Sequence, residues 1–287
     1  MLELSQHALK RLRLIDLYLA FSGRVTRGDL IAHFDVGTAT ASRTFKEYRD
    51  RYPDNLTYSV NERRYLAAPM FRPAFEHDVD RALSLLAYGV DYHEIAGVRF
   101  GAHVPTNLTA PLDPFAVSAI TRALVSGTGV DAAYASGSSG ETYRTLFPTS
   151  LFQGGGAWYF RAFDPEKDGY RTFRFSRVSS AEPSRRDCSG DRIAPDPEWA
   201  QQVTVTVAPH PSRENQVALR EDLGLSDKPV KNIMINAAVC GFVLTDLRVD
   251  CSLGGDMNAL EYPLRLMNRH ELTGIGSMAI APGFRQD

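Results

Sequence analysis

Apolar positions near the amino terminus recur with an imperfect helical period and predict a first helix near residues 5–21. The positions that carry this period are Leu9, Leu12, Ile15, Leu17 and Leu19. A second helix is predicted from an N-cap at Thr26 through Phe34, because a hydroxyl side chain there can accept from the first free backbone N–H groups. The two helices are separated by a Ser-Gly pair that ends the first one.

A third helix is predicted after the turn at residues 35–37, with Thr38 as its expected cap. Its apolar side chains fall on one face at spacings of four and then three residues, and they are Ala41, Phe45 and Tyr48. Beyond Pro53, two β-like runs meet at Asn61-Glu62 and predict a hairpin. Three helices followed by a hairpin predict a winged helix-turn-helix over residues 1–70.

The pattern changes twice more along the chain. Residues 71–125 contain Pro-rich joints and two helical runs, and we interpret them as a helical linker. Residues 126–190 hold five short alternating runs, most of them separated by turn-forming clusters, which predicts a small β-barrel. Residues 200–287 begin with the strand-like run VTVTVAP and continue with helical runs, so the chain is predicted to be a multidomain α+β protein.

Composition narrows the class of protein. A hydrophobic content of 44% and a charged content of 23% in 287 residues are ordinary for a folded chain of two or three domains. No apolar run reaches the roughly 20 residues of a membrane helix, and the amphipathic amino terminus does not resemble a signal peptide, so we expect a cytoplasmic protein. Cys188, Cys240 and Cys251 are too few and too scattered for a disulfide framework or a zinc site, and we expect no metal or cofactor.

Charge is distributed unevenly between the amino-terminal segment and the remainder. The net charge is −2, yet residues 1–72 carry 12 Lys and Arg against 8 Asp and Glu, whereas the remainder carries 20 against 26. The predicted winged helix is therefore the basic part of an acidic protein, which favours contact with nucleic acid.

The third predicted helix has the side chains of a DNA-recognition helix. Small residues near its start permit close approach to a groove, and Arg43 can donate two hydrogen bonds to guanine. Other basic residues suit phosphates. The predicted DNA-binding set is Arg27, Thr38, Ala39, Thr40, Ser42, Arg43, Lys46, Arg49, Arg63 and Arg64. The alternative for each residue is a solvated surface position without a partner.

A second candidate site lies in the β-rich block, where arginines alternate with aromatic and hydroxyl side chains. Alternation in AWYFRAF places Trp158, Phe160 and Ala162 on one face, and a shared parity groups Arg171 with Arg177. Guanidinium groups match phosphate and aromatic rings stack on bases, so a nucleotide or a single-stranded nucleic acid is a suitable ligand. The alternative is a structural network in which these arginines pair with Asp164, Glu166 or Asp168.

Nothing in the sequence favours catalysis. The GSSG and GGG runs lack the Lys-Ser/Thr pair of a phosphate-binding loop, no G-x-S-x-G elbow occurs, and no carboxylate cluster suits a nuclease metal. We therefore predict a protein that is not an enzyme. The predicted winged helix makes a DNA-binding regulator of transcription the leading hypothesis, and the alternative is an adaptor that binds nucleic acid without controlling transcription.

The run WYFRAFDPEKDGYRTFRFSRV resembles the signature strands of WYL-domain transcriptional regulators, with Phe160 in the third position of the Trp-Tyr-Leu triplet. The preceding YRTLFPTSL resembles the same domain's earlier strands, with Thr149 where His is common. The amino-terminal segment is similar to the winged helix of the phage-defence subgroup, the BrxR and CapW type, and PLRLMNRHEL is similar to that family's carboxyl-terminal extension.

This resemblance implies a homodimeric regulator, mainly a repressor of BREX, CBASS or related anti-phage operons. It implies an SH3-like (Sm-like) WYL barrel that senses a nucleotide or nucleic-acid effector, and an α/β dimerisation domain at residues 200–287. Operator DNA and a second copy of the chain are the implied partners. The ligand-binding positions carried over are Tyr134, Ser136, Arg144, Tyr159, Arg161, Arg171 and Arg177. The differences at Phe160 and Thr149 leave the identity of the ligand open.

Overall fold

Three helices form where the apolar period predicts them in the computed structural model, which describes residues 5–88, 111–137, 140–185, 193–225 and 228–285. A short three-stranded antiparallel sheet in the order β1-β3-β2 completes a winged helix-turn-helix. The helices are α1 (Gln6–Ser22), α2 (Arg27–Phe34) and α3 (Thr38–Arg51). The strands are β1 (Arg24–Val25), β2 (Leu56–Ser59) and β3 (Arg64–Ala67). The core holds every residue that carried the helical pattern of α3.

A buried carboxylate organises this domain. The side chain of Asp16 on α1 is fully buried and accepts hydrogen bonds from the phenol of Tyr48 on α3 and from the backbone N–H groups of Ala74 (3.0 Å) and Phe75 (3.2 Å). His77 Nε2 lies 2.7 Å from the same carboxylate. A carboxylate out of water is stable only when its lone pairs are satisfied, so these contacts fix the chain after the wing against α1 and α3.

Asn55 extends the network from the start of the wing. Its amide donates to the Tyr48 phenol (3.2 Å) and to the carbonyl of Arg72 (2.7 Å), and it accepts from the Arg72 N–H. Burial, together with the bond to Asp16, holds the pKa of Tyr48 well above its ordinary value, so the phenol is a permanent donor. The recognition helix is thus attached at Tyr48 to both flanking segments.

The helix α5 (Pro114–Ser126) connects the winged helix to the next sheet, and it follows α4 (Val79–Tyr88) along the chain. Ser118 Oγ donates to the carbonyl of Ala20 at 2.6 Å. Arg122 donates to the carbonyls of Ala20 and Leu19, both at 2.7 Å. These bonds satisfy carbonyls in the last turn of α1, which have no partner within the helix. The same helix also packs against an outer strand of the central sheet.

The five predicted strands of the central block form one sheet with the order β7-β6-β5-β4-β8. They are β4 (Val130–Ser136), β5 (Gly140–Gly154), β6 (Ala157–Asp164), β7 (Gly169–Arg174) and β8 (Val178–Pro183). Within the described residues the outer strands β7 and β8 are not paired with each other, so the predicted closed barrel is not confirmed. Alternation and turn residues specify strands, whereas closure depends on strand tilt and stagger, which they do not encode.

The chain divides into two compact units, Met1–Phe152 with Tyr159–Ile193 and Gln153–Trp158 with Ala194–Asp287. The second unit contains an α/β domain whose sheet has the order β10-β9-β12-β11. The helices are α6 (Pro197–Ala200), α7 (Val217–Asp222) and α8 (Cys240–Asp246). The strands are β9 (Gln202–Pro209), β10 (Lys231–Asn236), β11 (Val249–Asp250) and β12 (Leu264–Leu266). The apolar run from Asn232 to Val249 is divided between β10 and α8, and Cys240, Gly241 and Leu244 of α8 are buried.

Close packing around α8 requires glycine at one position. A Cβ on Gly241 would lie 1.9 Å from the carbonyl oxygen of Ser277, on the 3-10 turn Gly276–Ile280.

The two described cysteines are buried in this domain. Burial raises the pKa of the Cys240 thiol to about 11. Burial and, to a smaller extent, the charge of the neighbouring Asp250 raise the pKa of Cys251 to about 12. Both thiols are unpaired core side chains, and Cys188 lies outside the described residues.

The Asp16→Asn variant should lower the free energy of unfolding of the winged helix by about 3 kcal/mol or more. The amide NH2 would replace one carboxylate oxygen, and in the position of Oδ2 it would face the N–H donors of Ala74 and Phe75. Hydrogen exchange of the α1 and α3 amides in increasing urea measures this loss. Asp54→Asn, at an exposed carboxylate, is the matched control, and equal losses in the two variants would contradict the organising role of Asp16.

Candidate nucleic-acid interface and ligand site

The recognition helix α3 separates its core face from an open face. Ala41, Thr44, Phe45 and Tyr48 are buried. The predicted DNA-contacting side chains of this helix lie mostly on the exposed face: Thr38, Ala39, Ser42, Arg43, Lys46 and Arg49 are exposed and Thr40 is half-buried. Within the described residues Arg43, Lys46 and Arg49 have no carboxylate partner, which leaves three positive charges available to a ligand on this face.

The start of α3 corrects one expectation from the sequence. The helix begins at Thr38, but its N-cap is Gly37, and no side chain accepts a hydrogen bond from the first turn. The prediction that Thr38 caps the helix is therefore wrong. Since Thr38 lies inside the first turn, its hydroxyl is exposed at the end of the helix that a groove-bound helix presents to base edges.

Arg27 lies at the first position of α2, where Thr26 and Asp29 form a capping box. Its guanidinium Nη2 donates to the phenol oxygen of Tyr65 at 3.1 Å. The guanidinium carbon is 5.7 Å from the centre of the Tyr65 ring and 5.9 Å from that of Tyr58. Arg27 is thus exposed but held against the wing.

The tip of the wing carries two predicted contacts with different surroundings. Arg63 is exposed in the left-handed region with φ of 53°, which turns the chain between β2 and β3. Arg64 Nε lies 3.3 Å from the carboxylate of Glu62, so its charge is partly compensated. Of the two, Arg63 carries the uncompensated charge.

Two tyrosines that border this surface were not predicted from the sequence. Tyr58 and Tyr65 face each other directly across the β2–β3 pair, and Tyr58 is 44% exposed. Counting positions outward from the Asn61-Glu62 turn would have paired them, because hairpin register follows from the turn.

The predicted ligand residues of the central sheet divide between its two faces. The β6–β7 register places Tyr159 opposite Arg174 and Arg161 opposite Thr172, so these side chains share a face. Arg171 lies opposite Ala162, on the other face. Tyr134 also belongs to that second face, because its ring packs edge-on against Phe173 with centroids 5.0 Å apart.

Arg144 has the structural partner that the sequence offered as an alternative. Its guanidinium lies 2.7 Å from the carboxylate of Asp164, which is fully buried, and it also donates to Thr142 Oγ1 at 3.0 Å. A buried carboxylate that loses its cationic partner is costly. This position therefore has a role in the sheet itself.

The Tyr159 face holds an unusual pair of arginines. Arg161 is only 4% exposed, donates to Thr172 Oγ1 at 3.3 Å and lies 6.0 Å from the Tyr170 ring centre. The guanidinium carbon of Arg174 lies 5.9 Å from the Tyr159 ring centre, and its Nε is buried without a hydrogen-bond partner among the described residues. A buried guanidinium N–H without an acceptor is costly unless a bound group satisfies it. Arg174 was outside the predicted ligand set.

Arg177 and Ser136 complete the predicted ligand set. Arg177 is exposed on the 3-10 turn Phe175–Arg177, where strand alternation has ended, so the parity that grouped it with Arg171 does not apply. Ser136 is half-buried at the end of β4. The structure therefore brings Tyr159, Arg161 and Arg174 together and separates them from Arg171.

The second unit contains a buried His-Asp pair. His210 Nε2 lies 3.2 Å from the Asp250 carboxylate, and the N–H of Ser212 donates to His210 Nδ1 at 3.2 Å. Burial alone would raise the pKa of Asp250, but hydrogen bonds from Ser252, Met257 and His210 outweigh it and hold the pKa below its ordinary value. Both side chains are enclosed, so we interpret the pair as part of the core.

Neither a metal cluster nor a membrane span emerges from the part of the chain that the structure describes. In it, His, Cys, Asp and Glu side chains do not gather in threes around a possible metal position. Likewise, none of its helices is both long and apolar enough to cross a membrane.

Replacing Arg144 with alanine should destabilise the central sheet by about 3–5 kcal/mol, because Asp164 would remain buried without its cation. Urea denaturation followed by hydrogen exchange of the β4–β6 amides measures the loss. Arg171→Ala is the matched control, since Arg171 is exposed on β7. An Arg144→Ala protein as stable as this control would return Arg144 to the ligand set.

Comparisons with known proteins agree with the order of these domains. Residues 7–88 match the BrxR transcriptional regulator winged helix-turn-helix domain, residues 116–183 match the WYL domain, and residues 202–272 match the BrxR transcriptional regulator C-terminal dimerization domain. A solved structure of proteasome accessory factor B/C (PafBC) of Arthrobacter aurescens is 17% identical, with a TM-score of 0.27 over 93% of this chain and 47% of that one, a likeness too weak for any argument.

Curated relatives carry the name DNA-binding transcriptional repressor CapW. The protein from Escherichia coli (strain KTE188) is 31% identical over 215 residues, which cover 70% of this chain and 69% of the relative. That from Stenotrophomonas maltophilia is 28% identical over 230 residues, 76% of each, and that from Pseudomonas aeruginosa is 28% identical over 209 residues, 70% and 69%. These relatives are regulators and not enzymes, as predicted for this chain. The chain belongs to the family of WYL-domain transcriptional regulators of the BrxR and CapW type.

Proposed function

We propose that this protein is a homodimeric DNA-binding transcriptional repressor that inserts α3 into the major groove of an operator. The observation that carries the proposal is the division of α3 into a buried face and an exposed basic face. The CapW relatives bear the name of DNA-binding repressors, which supports the same reading.

The proposed roles follow from where each side chain lies. Thr38, Ala39, Thr40 and Ser42 allow close approach, and Arg43 reads a guanine edge from the first turns of the helix. The proposed phosphate contacts are Arg27, Lys46, Arg49, Arg63 and Arg64. Arg64 must share its charge with Glu62, so its contribution is the smallest of these.

Dimerisation is assigned to the second unit. The match of residues 202–272 to a C-terminal dimerization domain supports this assignment. Two winged helices in a symmetric dimer would recognise a near-palindromic operator whose half-sites are separated by whole turns of about 10 bp.

The central sheet is proposed as the sensor of an anionic effector, a nucleotide or a single-stranded nucleic acid. Tyr159 offers a ring, and Arg161 and Arg174 offer charge on the same face, with the Arg174 Nε buried and unpartnered within the described chain. Effector binding relieves repression of an anti-phage operon in the cytoplasm, where the operator lies. By linkage, effector and operator must change each other's affinity by the same factor.

Arg43→Ala should weaken specific operator binding by about 1–3 kcal/mol and relax preference at one base pair, because a bidentate base contact is lost. Anisotropy titrations with the promoter upstream of the protein's own gene and with a random duplex measure affinity and preference. Arg51→Ala is the matched control, since Arg51 already pairs with Glu47 at 3.3 Å. Unchanged operator affinity would remove Arg43 from the reading set, and a native protein without preference for the promoter would overturn the proposed function.

We also keep Arg177, carried over from the family resemblance, as a proposed effector contact, so Arg177→Ala should abolish the response to effector. Basal operator affinity and stability should stay unchanged, because this side chain is exposed on a turn. The probe is a short single-stranded DNA oligomer added to the preformed operator complex, with release followed by anisotropy. Lys167→Ala, also exposed in this domain, is the control. A full response in Arg177→Ala would exclude Arg177 from the sensor.

A further inference from the structure

Four side chains, one from each of four elements of the winged helix, form a continuous stack, which we call the wing stack. It consists of Phe45 on α3, Tyr65 on β3, Arg27 on α2 and Tyr58 on β2. The Phe45 and Tyr65 rings are 4.0 Å apart and nearly parallel, at 8°. The Tyr65 and Tyr58 rings are 4.9 Å apart, and the Arg27 guanidinium lies near both. The stack therefore runs from the core of the recognition helix to the exposed wing.

Tyr65 has the position needed to orient Arg27. Only 9% of its surface is exposed, and its ring is fixed against Phe45, so its phenol oxygen is a fixed acceptor 3.1 Å from Arg27 Nη2. Val25, which pairs with Tyr65 across the β1–β3 ladder, is two residues before Arg27. An arginine ordered in advance loses less side-chain entropy when it binds.

Arg27 keeps its charge available although it is held in place. Within the described residues no carboxylate pairs with it, unlike Arg64 with Glu62. Its contact with Tyr65 uses one of five N–H donors, and its side chain is exposed. The ring of Tyr58, which is 44% exposed, lies beside the guanidinium on the side of the wing.

We infer that Tyr65 is a positioning residue for DNA binding, which holds the Arg27 guanidinium against the wing so that it meets a backbone phosphate. The inference rests on the proposed function. The partner group is a phosphodiester of duplex DNA, and the contact is independent of sequence. Because Phe45 fixes the Tyr65 ring and Tyr65 holds Arg27, the recognition helix determines the direction in which Arg27 meets that phosphate.

A double-mutant cycle tests the coupling between the two residues. The proteins are native, Arg27→Ala, Tyr65→Phe and the double variant, titrated with a labelled duplex of mixed sequence over a series of salt concentrations. Arg27→Ala should reduce the slope of log affinity against log salt by about one. Tyr65→Phe should weaken binding about three- to tenfold when Arg27 is present and less than about twofold when it is absent.

Two further variants separate positioning from stability. Tyr52→Phe alters a tyrosine that packs against Tyr48 and Phe75 in the same domain, and it should leave both affinity and slope unchanged. Arg27→Lys should keep the salt slope, because the charge remains, yet lose the sensitivity to Tyr65→Phe, because an ammonium does not match the planar guanidinium fork.

Independent effects of Tyr65→Phe and Arg27→Ala, multiplying in the double variant, would overturn the positioning role. An unchanged salt slope in Arg27→Ala would overturn the phosphate contact, although the protein still binds DNA. A native protein that binds no duplex at all would instead overturn the proposed function, so the two failures are distinguishable.

Discussion

The winged helix depends on one buried carboxylate, that of Asp16. It accepts from a phenol of the recognition helix, from two backbone amides beyond the wing and from His77, and so joins segments that are far apart in sequence. A buried carboxylate that lost some of its hydrogen-bond donors would be costly, so the fold must keep these donors in place together. The open face of α3 is the outcome, because Tyr48 can reach Asp16 only when that face points away from the core.

Much of this domain follows from local patterns in the sequence. The period of Ala41, Phe45 and Tyr48 and the turn at Asn61-Glu62 are signals within a few residues, and they predict α3 and the wing. The N-cap was misplaced by one residue because Gly37 and Thr38 are both acceptable at that position, and only backbone geometry decides between them. Asp16 gave no signal, since its partners lie up to 61 residues away.

The central sheet shows where prediction from alternation ends. Strand parity identifies Tyr159 and Arg161 as neighbours on one face, but it cannot follow the chain through the 3-10 turn to Arg177. Nor can it select Asp164, 20 residues from Arg144, from the three carboxylates that the sequence offered as partners. Arg174 was overlooked for a similar reason. Its Nε is buried without an acceptor because of residues on other elements, which the pattern of its own strand does not reveal.

The bonds from α5 to the end of α1 determine how a movement of the central sheet would reach the winged helix. Arg122 and Ser118 secure the final carbonyls of α1, and three residues later Gly23 accepts from the wing at Ala67. The winged helix and α5 are thus joined by direct hydrogen bonds in addition to the chain between them. Because α5 also packs against β8, a displacement of that strand would be carried through α5 to α1 and the wing as a coupled change of angle.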